Sequence, residues 1–369
     1  MKIRAVIVGC AHMHVNEIAL YINGQPDTEL CGIADVGASV PENTDKRYTR
    51  AWNLKNIVNT YGVKEYSDYK EMLDEIKPDV AYLLCENAKK VSVSKEIASR
   101  KIDVIVEKPM AMTYQDAKEI VALKEIYGVN IFVNWPVIWR KYIRQFKAML
   151  ESGECGELKK LRYINGHTGP LGKGAKHRGV SDTAEEMSDE ERSRIWWYNS
   201  EMGGGAFLDI LCYGCFFSRW LFGSLPIDII AHADNLGTPY GNVEDNIAAI
   251  ARYNGGYSVM EGTWTTPRRR MPTGPEAICS DGVVWCDGIA DKEAFVSAID
   301  AYGNDVTVPE TEDNCDYNNM PWHYAAFKLY GREVNEALSA EFNADVVAMI
   351  EAARRSDLNR KAEGISADV

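Results

Sequence analysis

The sequence predicts an α/β protein whose N-terminal part is a doubly wound parallel sheet of the Rossmann type. A β-branched apolar run, KIRAVIVG, ends at Gly9 and is followed by a helical pattern. The next apolar run, ELCGIAD, ends in the acid Asp35. The order of strand, glycine turn, helix, strand and acid is typical of a dinucleotide-binding βαβ unit.

The alternation continues through the first third of the chain and predicts the rest of this sheet. Apolar runs that end near Asn87, Pro109 and Pro136 are separated by helical patterns of about 10 to 15 residues, which favours parallel strands. Parallel sheets bind ligands at the carboxyl ends of their strands. The side chains at these ends are therefore candidate cofactor-binding residues: Gly9, Asp35, Cys85, Asn87, Glu107, Lys108, Trp135 and Pro136.

Length and composition set limits on the protein's class. At 369 residues the chain is long enough for two domains, which we place at residues 1–133 and 134–369. It is 46% hydrophobic and 26% charged, as globular proteins are, and no apolar run approaches the roughly 20 residues of a membrane span. The formal net charge of −13 argues against a nucleic-acid or anionic-membrane partner. Scattered cysteines and an N-terminus without a signal-peptide pattern predict a cytoplasmic protein.

The glycine turn, GCAHMH, departs from the usual G-x-G-x-x-G pattern. Gly9 permits a tight turn, Ala11 still lets the backbone approach a ligand closely, and His14 replaces the last glycine. We expect a pyrophosphate to dock beside Ala11, His12 and Met13, because the free N–H groups and the dipole of a helix N-terminus favour an anion. His12 and His14 have no third ligand in register, so we predict no metal.

Asp35 also predicts which nicotinamide cofactor the protein uses. A carboxylate at the end of the second strand accepts hydrogen bonds from a ribose diol and repels a 2′-phosphate. The residues that follow, VGASV, include no Arg or Lys that would bind such a phosphate. The sequence therefore favours NAD over NADP.

Segments spread along nearly the whole chain carry a resemblance to a known family. They are EKP directly after a buried strand, ESGECGELKKLRY, GGGAFLDILCYG, NVEDNIAAIARYNGGYSVMEGTW and SAEFNADVVAMIEAARRS. In order and spacing they resemble the glucose-fructose oxidoreductase, inositol dehydrogenase and rhizopine-catabolism (Gfo/Idh/MocA) family. The resemblance implies an N-terminal Rossmann domain and a C-terminal α+β domain with an open, mostly antiparallel sheet. It also implies a homo-oligomer, a dimer or tetramer, associated through that sheet.

The resemblance further implies a reaction and its residues. Most members use NAD or NADP to oxidise or reduce a secondary alcohol on a sugar, a cyclitol or a related polyol. The family's catalytic lysine falls on Lys108, and the aspartate of its catalytic helix falls on Asp209. Tyr213 stands where many members have histidine and where glucose-fructose oxidoreductase similarly has tyrosine. The family's TPN pattern becomes CEN, which keeps Asn87, and NWP replaces a commoner basic-aromatic pattern.

These residue types suit the oxidation of an alcohol, which needs a base at the hydroxyl and a cation near the oxygen. We expect Lys108 to lower the pKa of Tyr213 from its ordinary value of about 10, so that the phenolate acts as the base. Asp209 and Tyr213 are spaced i and i+4 on one helix face, and Asp209 would bind a substrate hydroxyl. Taken singly, Asp209 also suits a helix cap and Tyr213 a core position.

The substrate side is predicted from the stretch that follows. His167 stands near the end of the second domain's first strand and is a candidate substrate contact or further acid or base. Residues 171–194 are polar and predict a long loop with a helical tail over the cleft. Trp197 or its neighbour Trp196 would stack on the apolar face of a sugar ring, although both also suit a core.

These features predict an NAD-dependent oxidoreductase that moves a hydride between nicotinamide and a secondary alcohol of a sugar, glycoside or cyclitol, with Lys108 and Tyr213 as the acid-base pair. The alternative is a redox-neutral glycoside-processing enzyme, which oxidises a ring carbon transiently with tightly bound NAD. A nucleotide sensor without activity is a third hypothesis, and the presence of Lys108, Asp209 and Tyr213 argues against it.

Overall fold

The first sheet is formed by six parallel strands from the N-terminal part of the chain, in the order β3-β2-β1-β4-β5-β6. The computed structural model describes residues 2–266, 274–287, 294–311 and 319–365. Apolar, β-branched side chains fill these strands because helices cover both faces of such a sheet. The strands are β1 (Ile3–Val8), β2 (Thr28–Ala34), β3 (Glu65–Tyr66), β4 (Val80–Leu83), β5 (Asp103–Glu107) and β6 (Ile131–Asn134).

Helices alternate with these strands, as the sequence pattern predicts. The Thr113 side chain accepts a hydrogen bond from the Asp116 N–H and caps the N-terminus of α5. Because every strand is parallel, all the carboxyl ends meet at one edge, which we call the ligand edge. The helices are α1 (Val15–Asn23), α2 (Arg50–Tyr61), α3 (Tyr69–Ile76), α4 (Lys90–Ala98) and α5 (Tyr114–Tyr127).

The second sheet has eight strands in the order β13-β12-β11-β7-β10-β9-β8-β14. Among the strand pairs that the structure describes, β7 and β10 are parallel and the others are antiparallel. This confirms the expected mostly antiparallel sheet. The strands are β7 (Leu158–Gly166), β8 (Asp228–Asp234), β9 (Asn246–Tyr253), β10 (Gly256–Thr263), β11 (Gly274–Cys279), β12 (Gly282–Asp287), β13 (Phe295–Asp300) and β14 (Glu363–Gly364).

Three of the remaining helices, α6, α8 and α10, pack on the second sheet, and α10 also contacts the first part of the chain through α5. A π-helical turn, Phe207–Leu211, leads directly into α8, and α10 packs against α8, α5 and β8. The segment Ser200–Phe222 is long and apolar enough to cross a membrane by composition, but 72% of its most apolar window is buried inside the protein, so it is a core helix. The helices are α6 (Lys141–Ser152), α7 (Asp189–Ser193), α8 (Cys212–Phe222), α9 (Met320–Tyr330) and α10 (Ala340–Asn359).

Helix α9, which follows β13 of the second sheet in the sequence, packs against the first sheet. In α9, the Tyr324 hydroxyl and the Lys328 ammonium donate to Asp103 Oδ2 over 2.8 and 2.9 Å. The ring of Phe132 on β6 packs edge-on against Tyr324 and Phe327. The domain division at residues 133 and 134 stays a prediction, and α9 packs on the first sheet although it belongs to the C-terminal part of the sequence.

Candidate active site

The turn after β5 places a buried cation at the ligand edge. Lys108 follows the last residue of β5 and is 2% exposed. Beneath it, the buried Lys90 ammonium donates to the carbonyl oxygens of Glu107 (2.5 Å) and Pro109 (2.6 Å) and fixes the turn. Burial lowers the pKa of Lys90 to about 8, against the raising effect of Cys85 and Glu107.

The glycine run before α8 brings a carboxylate to the same point. Gly205 has φ +102°, and a Cβ there would meet the Glu244 carboxylate at 2.4 Å. Glu244 accepts from the Phe207 N–H through Oε1 and from the Ala206 N–H through its backbone oxygen. Glu244 therefore satisfies the start of this helix, and Asp209, on the π-helical turn, is left to face Lys108.

Asp209 is the centre of the arrangement. Lys108 Nζ donates to the Asp209 backbone oxygen (3.0 Å) and to Oδ1 (3.1 Å). Trp264 Nε1 donates to Oδ2 over 3.0 Å, and His167 Nε2 lies 3.5 Å from the same oxygen. The structure thus brings together Lys108, Asp209 and His167, which the sequence predicts as site residues. It also places Trp264 in the cluster, which the sequence does not predict.

The charges of this cluster are fixed by its surroundings. Burial opposes ionisation of Asp209, but the Lys108 ammonium and the contact with His167 outweigh it and hold the pKa of Asp209 well below its usual range. Burial likewise opposes the charge on Lys108, and the nearby acidic groups of Tyr213 and Asp209 still raise the pKa of Lys108 well above its ordinary value. Both groups are therefore charged at neutral pH.

The surroundings of Tyr213 oppose the ionisation that we expect from the sequence. Burial raises its pKa to about 12, and the opposing effect of Lys108 is smaller. The Lys108 ammonium lies 4.6 Å from the centroid of the Tyr213 ring, so the cation contacts the ring face. These surroundings favour the protonated phenol, and the role of Tyr213 as the base stays a prediction.

The glycine turn lies at the ligand edge, close to Asp35. Gly9 has φ +90°, and a Cβ there would meet the Cys85 backbone nitrogen at 2.6 Å, so the turn packs directly on the end of β4. The Cys10 N–H donates to Asp35 Oδ1 over 2.8 Å. Cys85 thus packs against the glycine turn, and Asp35, which follows β2, fixes the turn through its hydrogen bond with Cys10.

Arg50 is a cation at Asp35 that the sequence argument missed. Its Nη1 donates to both Asp35 oxygens, over 2.9 and 3.0 Å, and its Nη2 donates to the buried Glu86 over 2.5 Å. The stretch VGASV lacks a cation, as noted from the sequence, but α2 supplies one from further along the chain. Two acids, Asp35 at Nη1 and Glu86 at Nη2, therefore hold the guanidinium in place.

Glu107 brings a carboxylate to the two histidines of the glycine turn. Its Oε1 lies 3.0 Å from His14 Nδ1 and 4.0 Å from His12 Nε2, and Asn134 donates to Oε2. A third possible ligand therefore does exist in space, contrary to the sequence argument. The His14 N–H donates to His12 Nδ1, however, which leaves the proton of neutral His12 on Nε2, and a protonated nitrogen does not bind a metal. We interpret the group as a carboxylate held by donors.

A cover formed by residues 171–204 lies over the glycine turn. Trp196 Nε1 donates to the Ala11 carbonyl (3.0 Å), and the Trp196 and Trp197 rings stack at 3.8 Å. The Trp197 ring lies over the turn and packs edge-on against His12, with the ring centroids 4.8 Å apart. One face of the Trp197 ring is covered by Trp196 and is not available to a sugar ring. Ala11, His12 and Met13 are each at most 5% exposed as a result.

The other predicted cofactor residues have distinct positions. Asn87 donates to the Gly203 carbonyl (2.8 Å), while its Oδ1 is buried without a hydrogen-bond partner. Trp135 is fully buried; its Nε1 donates to Asn343, and its ring packs on Tyr213 and Phe216. Trp135 therefore supports α8 from below, while Pro136 borders a small cavity beside α1.

Comparison with known proteins agrees with this geometry. The model of the GFO/IDH/MocA oxidoreductase family, NAD-binding Rossmann fold, matches residues 3–135, and that of the GFO/IDH/MocA C-terminal domain matches residues 143–284. The chain belongs to the Gfo/Idh/MocA oxidoreductase family. It is 24% identical over 260 residues to trans-1,2-dihydrobenzene-1,2-diol dehydrogenase of Mus musculus, a match that covers 69% of this chain and 66% of that enzyme. The chain spans slightly less than two thirds of the length of the first curated relatives it matches.

Solved structures of other Gfo/Idh/MocA oxidoreductases share the whole fold. One is the aldose-aldose oxidoreductase from Caulobacter crescentus complexed with glycerol, with a TM-score of 0.76, 17% identity, and coverage of 99% of this chain and 100% of that one. Another is the WlbA dehydrogenase from Bordetella pertussis in complex with NADH and UDP-GlcNAcA, with a TM-score of 0.73, 19% identity and full coverage of both chains. At these identities the likeness shows the fold alone.

The ligand edge of this Gfo/Idh/MocA chain has the donor set that suits a nicotinamide dinucleotide. Asp35 directly follows β2, and the Gly9 turn precedes the N-terminus of α1, which are the positions from which a Rossmann sheet binds a dinucleotide. Two buried polar atoms at this edge, His12 Nε2 and Asn87 Oδ1, have no hydrogen-bond partner within the described part of the chain, although His12 Nε2 lies 4.0 Å from Glu107. A donor and an acceptor of this kind match the mixed polarity of such a ligand.

The buried ion pair predicts the acid stability of the protein. Because the pKa of Asp209 is depressed in the fold, its contribution to the free energy of unfolding is present above about pH 4 and is lost as pH falls below that value. Below about pH 4 the wild type should lose up to about 1.4 kcal/mol more per pH unit than Asp209→Asn. Near neutral pH, the variant should be less stable by roughly 3 kcal/mol, because Lys108 is left buried without its anion.

Urea unfolding at several acidic pH values measures this difference. Asp182→Asn is the matched control, because the Asp182 side chain is 68% exposed and its variant should follow the wild-type slope. If the free energy of unfolding fell equally steeply with pH in the wild type and in Asp209→Asn, the depressed pKa of Asp209 would be contradicted.

Proposed function

We propose that the protein is an NAD-dependent oxidoreductase that acts on a secondary alcohol of a sugar, glycoside or cyclitol. The observation that carries this proposal is the buried Lys108–Asp209 pair, which lies at the ligand edge and is contributed by both halves of the chain. The names of the relatives, an aldose-aldose oxidoreductase and a diol dehydrogenase among them, support a small polyhydroxylated substrate.

Each residue of the cluster has a separate part in this proposal. NAD, when bound, supplies the hydride acceptor. Lys108 is a permanent cation that stabilises negative charge on the reacting oxygen. Tyr213, protonated at neutral pH, donates a hydrogen bond to the same oxygen, and Asp209 orients the Lys108 ammonium. The acid-base pair expected from the sequence thus becomes a pair of donors that hold the oxygen.

Replacing the cation tests this proposal. Lys108→Met should lower kcat/KM by roughly 10²–10³-fold, since it removes one preorganised stabiliser of the developing charge. The assay follows nicotinamide absorbance with NAD and a panel of sugars, glycosides and inositols. Lys95→Met is the control, because Lys95 is an exposed lysine on α4. A panel that gives no NADH with the wild type, or a Lys108→Met protein with unchanged kcat/KM, would overturn the proposal.

We propose that NAD is preferred over NADP through Asp35, although Arg50 is close by. Asp35→Ser should release one side of Arg50, which Glu86 still holds, and free it to bind a 2′-phosphate. The ratio of the NADP and NAD dissociation constants should then fall by about tenfold or more, which corresponds to roughly 1.4 kcal/mol. Fluorescence titration with both cofactors measures this ratio.

The double variant Asp35→Ser, Arg50→Gln is the matched control for the cofactor experiment, and its ratio should return toward the wild-type value. A fall that persists in the double variant would show that Arg50 is not the phosphate-binding group. Equal loss of both cofactors in Asp35→Ser would show that Asp35 only orders the turn.

The cover over the glycine turn favours the redox-neutral alternative as a second candidate function. Tyr48 donates to the Asp182 carbonyl (2.8 Å), Lys46 pairs with Glu191 (2.7 Å), and Gly179 packs against the backbone of Asn16. A dinucleotide held beneath this cover would exchange slowly with solvent. Such a cofactor suits a cycle in which the same molecule is reduced and reoxidised.

Cofactor retention tests this second candidate. Purified wild-type protein should release NAD on heat denaturation, whereas Tyr48→Phe combined with Lys46→Met should lose it during gel filtration. Turnover should proceed in the wild type without accumulation of free NADH. Wild-type protein that loses NAD on simple dialysis would rule out a permanently held cofactor and favour the ordinary dehydrogenase.

Association and location are further parts of the proposal. The outer face of the second sheet carries exposed apolar side chains, among them Ile230 and Ile250, which lie directly opposite each other on β8 and β9. This pattern supports the homo-oligomer expected from the sequence. The described cysteines are all free thiols, which is in keeping with a cytoplasmic location.

A further inference from the structure

His167 is the partly exposed member of the cluster on the side of the second sheet. It follows β7 directly, and its N–H donates to the Thr263 carbonyl (3.0 Å), which fixes its backbone beside β10. Its side chain is 33% exposed, whereas Lys108 and Asp209 are almost completely buried. His167 therefore connects a buried charged pair with the outside of the protein.

The contact with Asp209 determines which nitrogen of His167 is available. Nε2 lies 3.5 Å from Asp209 Oδ2, so a carboxylate that is ionised at neutral pH keeps the ring proton on Nε2. The lone pair of the neutral ring is then on Nδ1, on the opposite side from Asp209. This is the geometry of an acid–histidine pair in which the carboxylate sets the tautomer and the ring accepts a proton.

The other titratable groups facing this point do not accept a proton near neutral pH. Asp209 stays ionised and Lys108 stays charged, for the reasons given above. Tyr213 keeps its proton because burial raises its pKa to about 12. Histidine is the side-chain type whose ordinary pKa of about 6.5 suits proton transfer at neutral pH.

We propose that His167 is the catalytic residue that accepts the proton of the substrate hydroxyl, with Asp209 as the positioning residue that fixes its tautomer. The proposal rests on the oxidoreductase function proposed above. In the oxidation, the O–H bond breaks and its proton goes to His167 Nδ1. The C–H bond breaks with its electron pair passing to oxidised NAD as the co-reactant, and a C=O bond forms. In the reverse direction His167 returns the proton.

The first test is the pH profile of the holoenzyme with the best alcohol of the panel. The wild type should lose kcat/KM on the acidic side of its pH profile, because a protonated imidazole cannot accept the hydroxyl proton. His167→Gln should lower kcat by roughly 10²–10⁴-fold, lose this acidic limb, and gain activity with hydroxide at high pH. His232→Gln, which replaces a histidine with a 65% exposed side chain, should keep the wild-type rate and profile.

A purely structural role of His167 would give a different result. His167→Gln would then keep the acidic limb and stay within about threefold of the wild-type kcat, and this outcome overturns the proposal. NAD titration of the variant checks that the cofactor site is intact.

The second test does not need a substrate. The chain contains six histidines, so ¹⁵N-histidine labelling gives few signals, and the one lost in His167→Gln is assigned. At about pH 8 we expect the tautomer with the proton on Nε2, and we expect Asp209→Asn to mix the tautomers. A proton on Nδ1 in the wild type would overturn the proposal. A panel without any turnover would instead overturn the proposed function, while the tautomer still decides the arrangement of His167.

Discussion

The buried ion pair between Lys108 and Asp209 is the interaction on which the rest of the site depends. It joins the end of β5 to the π-helical turn before α8, so each half of the chain contributes one charge. Either charge alone at this depth would be destabilising by several kcal/mol, and each is tolerated because the other is present. The relative placement of the two sheets at the ligand edge is therefore tied to the electrostatics of the reaction site.

The side chains around this pair supply the remaining hydrogen-bond partners of the Asp209 carboxylate. Asp209 Oδ1 takes the ammonium, Trp264 donates to Oδ2, and His167 approaches the same atom. The glycine run lets the helix start close to Glu244, which takes the N–H groups that Asp209 would otherwise cap. A π-helical turn at this point widens the helix by one residue per turn, a feature that is frequent at functional sites. The Asp209 carboxylate is thus available to Lys108, Trp264 and His167 because a second acid caps the helix.

The sequence predicted the first sheet well because its strands are short apolar runs with a strong local pattern, and family motifs located Lys108 and Asp209. It did not predict Arg50 at Asp35, because an ion pair between α2 and β2 depends on how the helix is seated and leaves no local signal. It also could not give the surroundings of Tyr213. The i and i+4 spacing places a phenol near a cation, but it gives neither the depth of burial nor whether the ring face or the hydroxyl meets the ammonium, and these set the pKa. The sequence likewise did not predict that Glu107 lies beside His12 and His14, because this contact joins the ends of two different strands and leaves no local signal.

Burial also decides where protons can move in this protein. Lys108, Asp209 and Glu107 are each less than one tenth exposed, and each has a partner within hydrogen-bond or ion-pair reach. Low polarity around these groups strengthens every interaction and makes a change of protonation state there expensive. In the proposed oxidation, a proton released at the reacting oxygen therefore has to leave through a group that both touches the cluster and reaches solvent. His167 meets both conditions: its Nε2 lies against Asp209, and a third of its side chain is exposed.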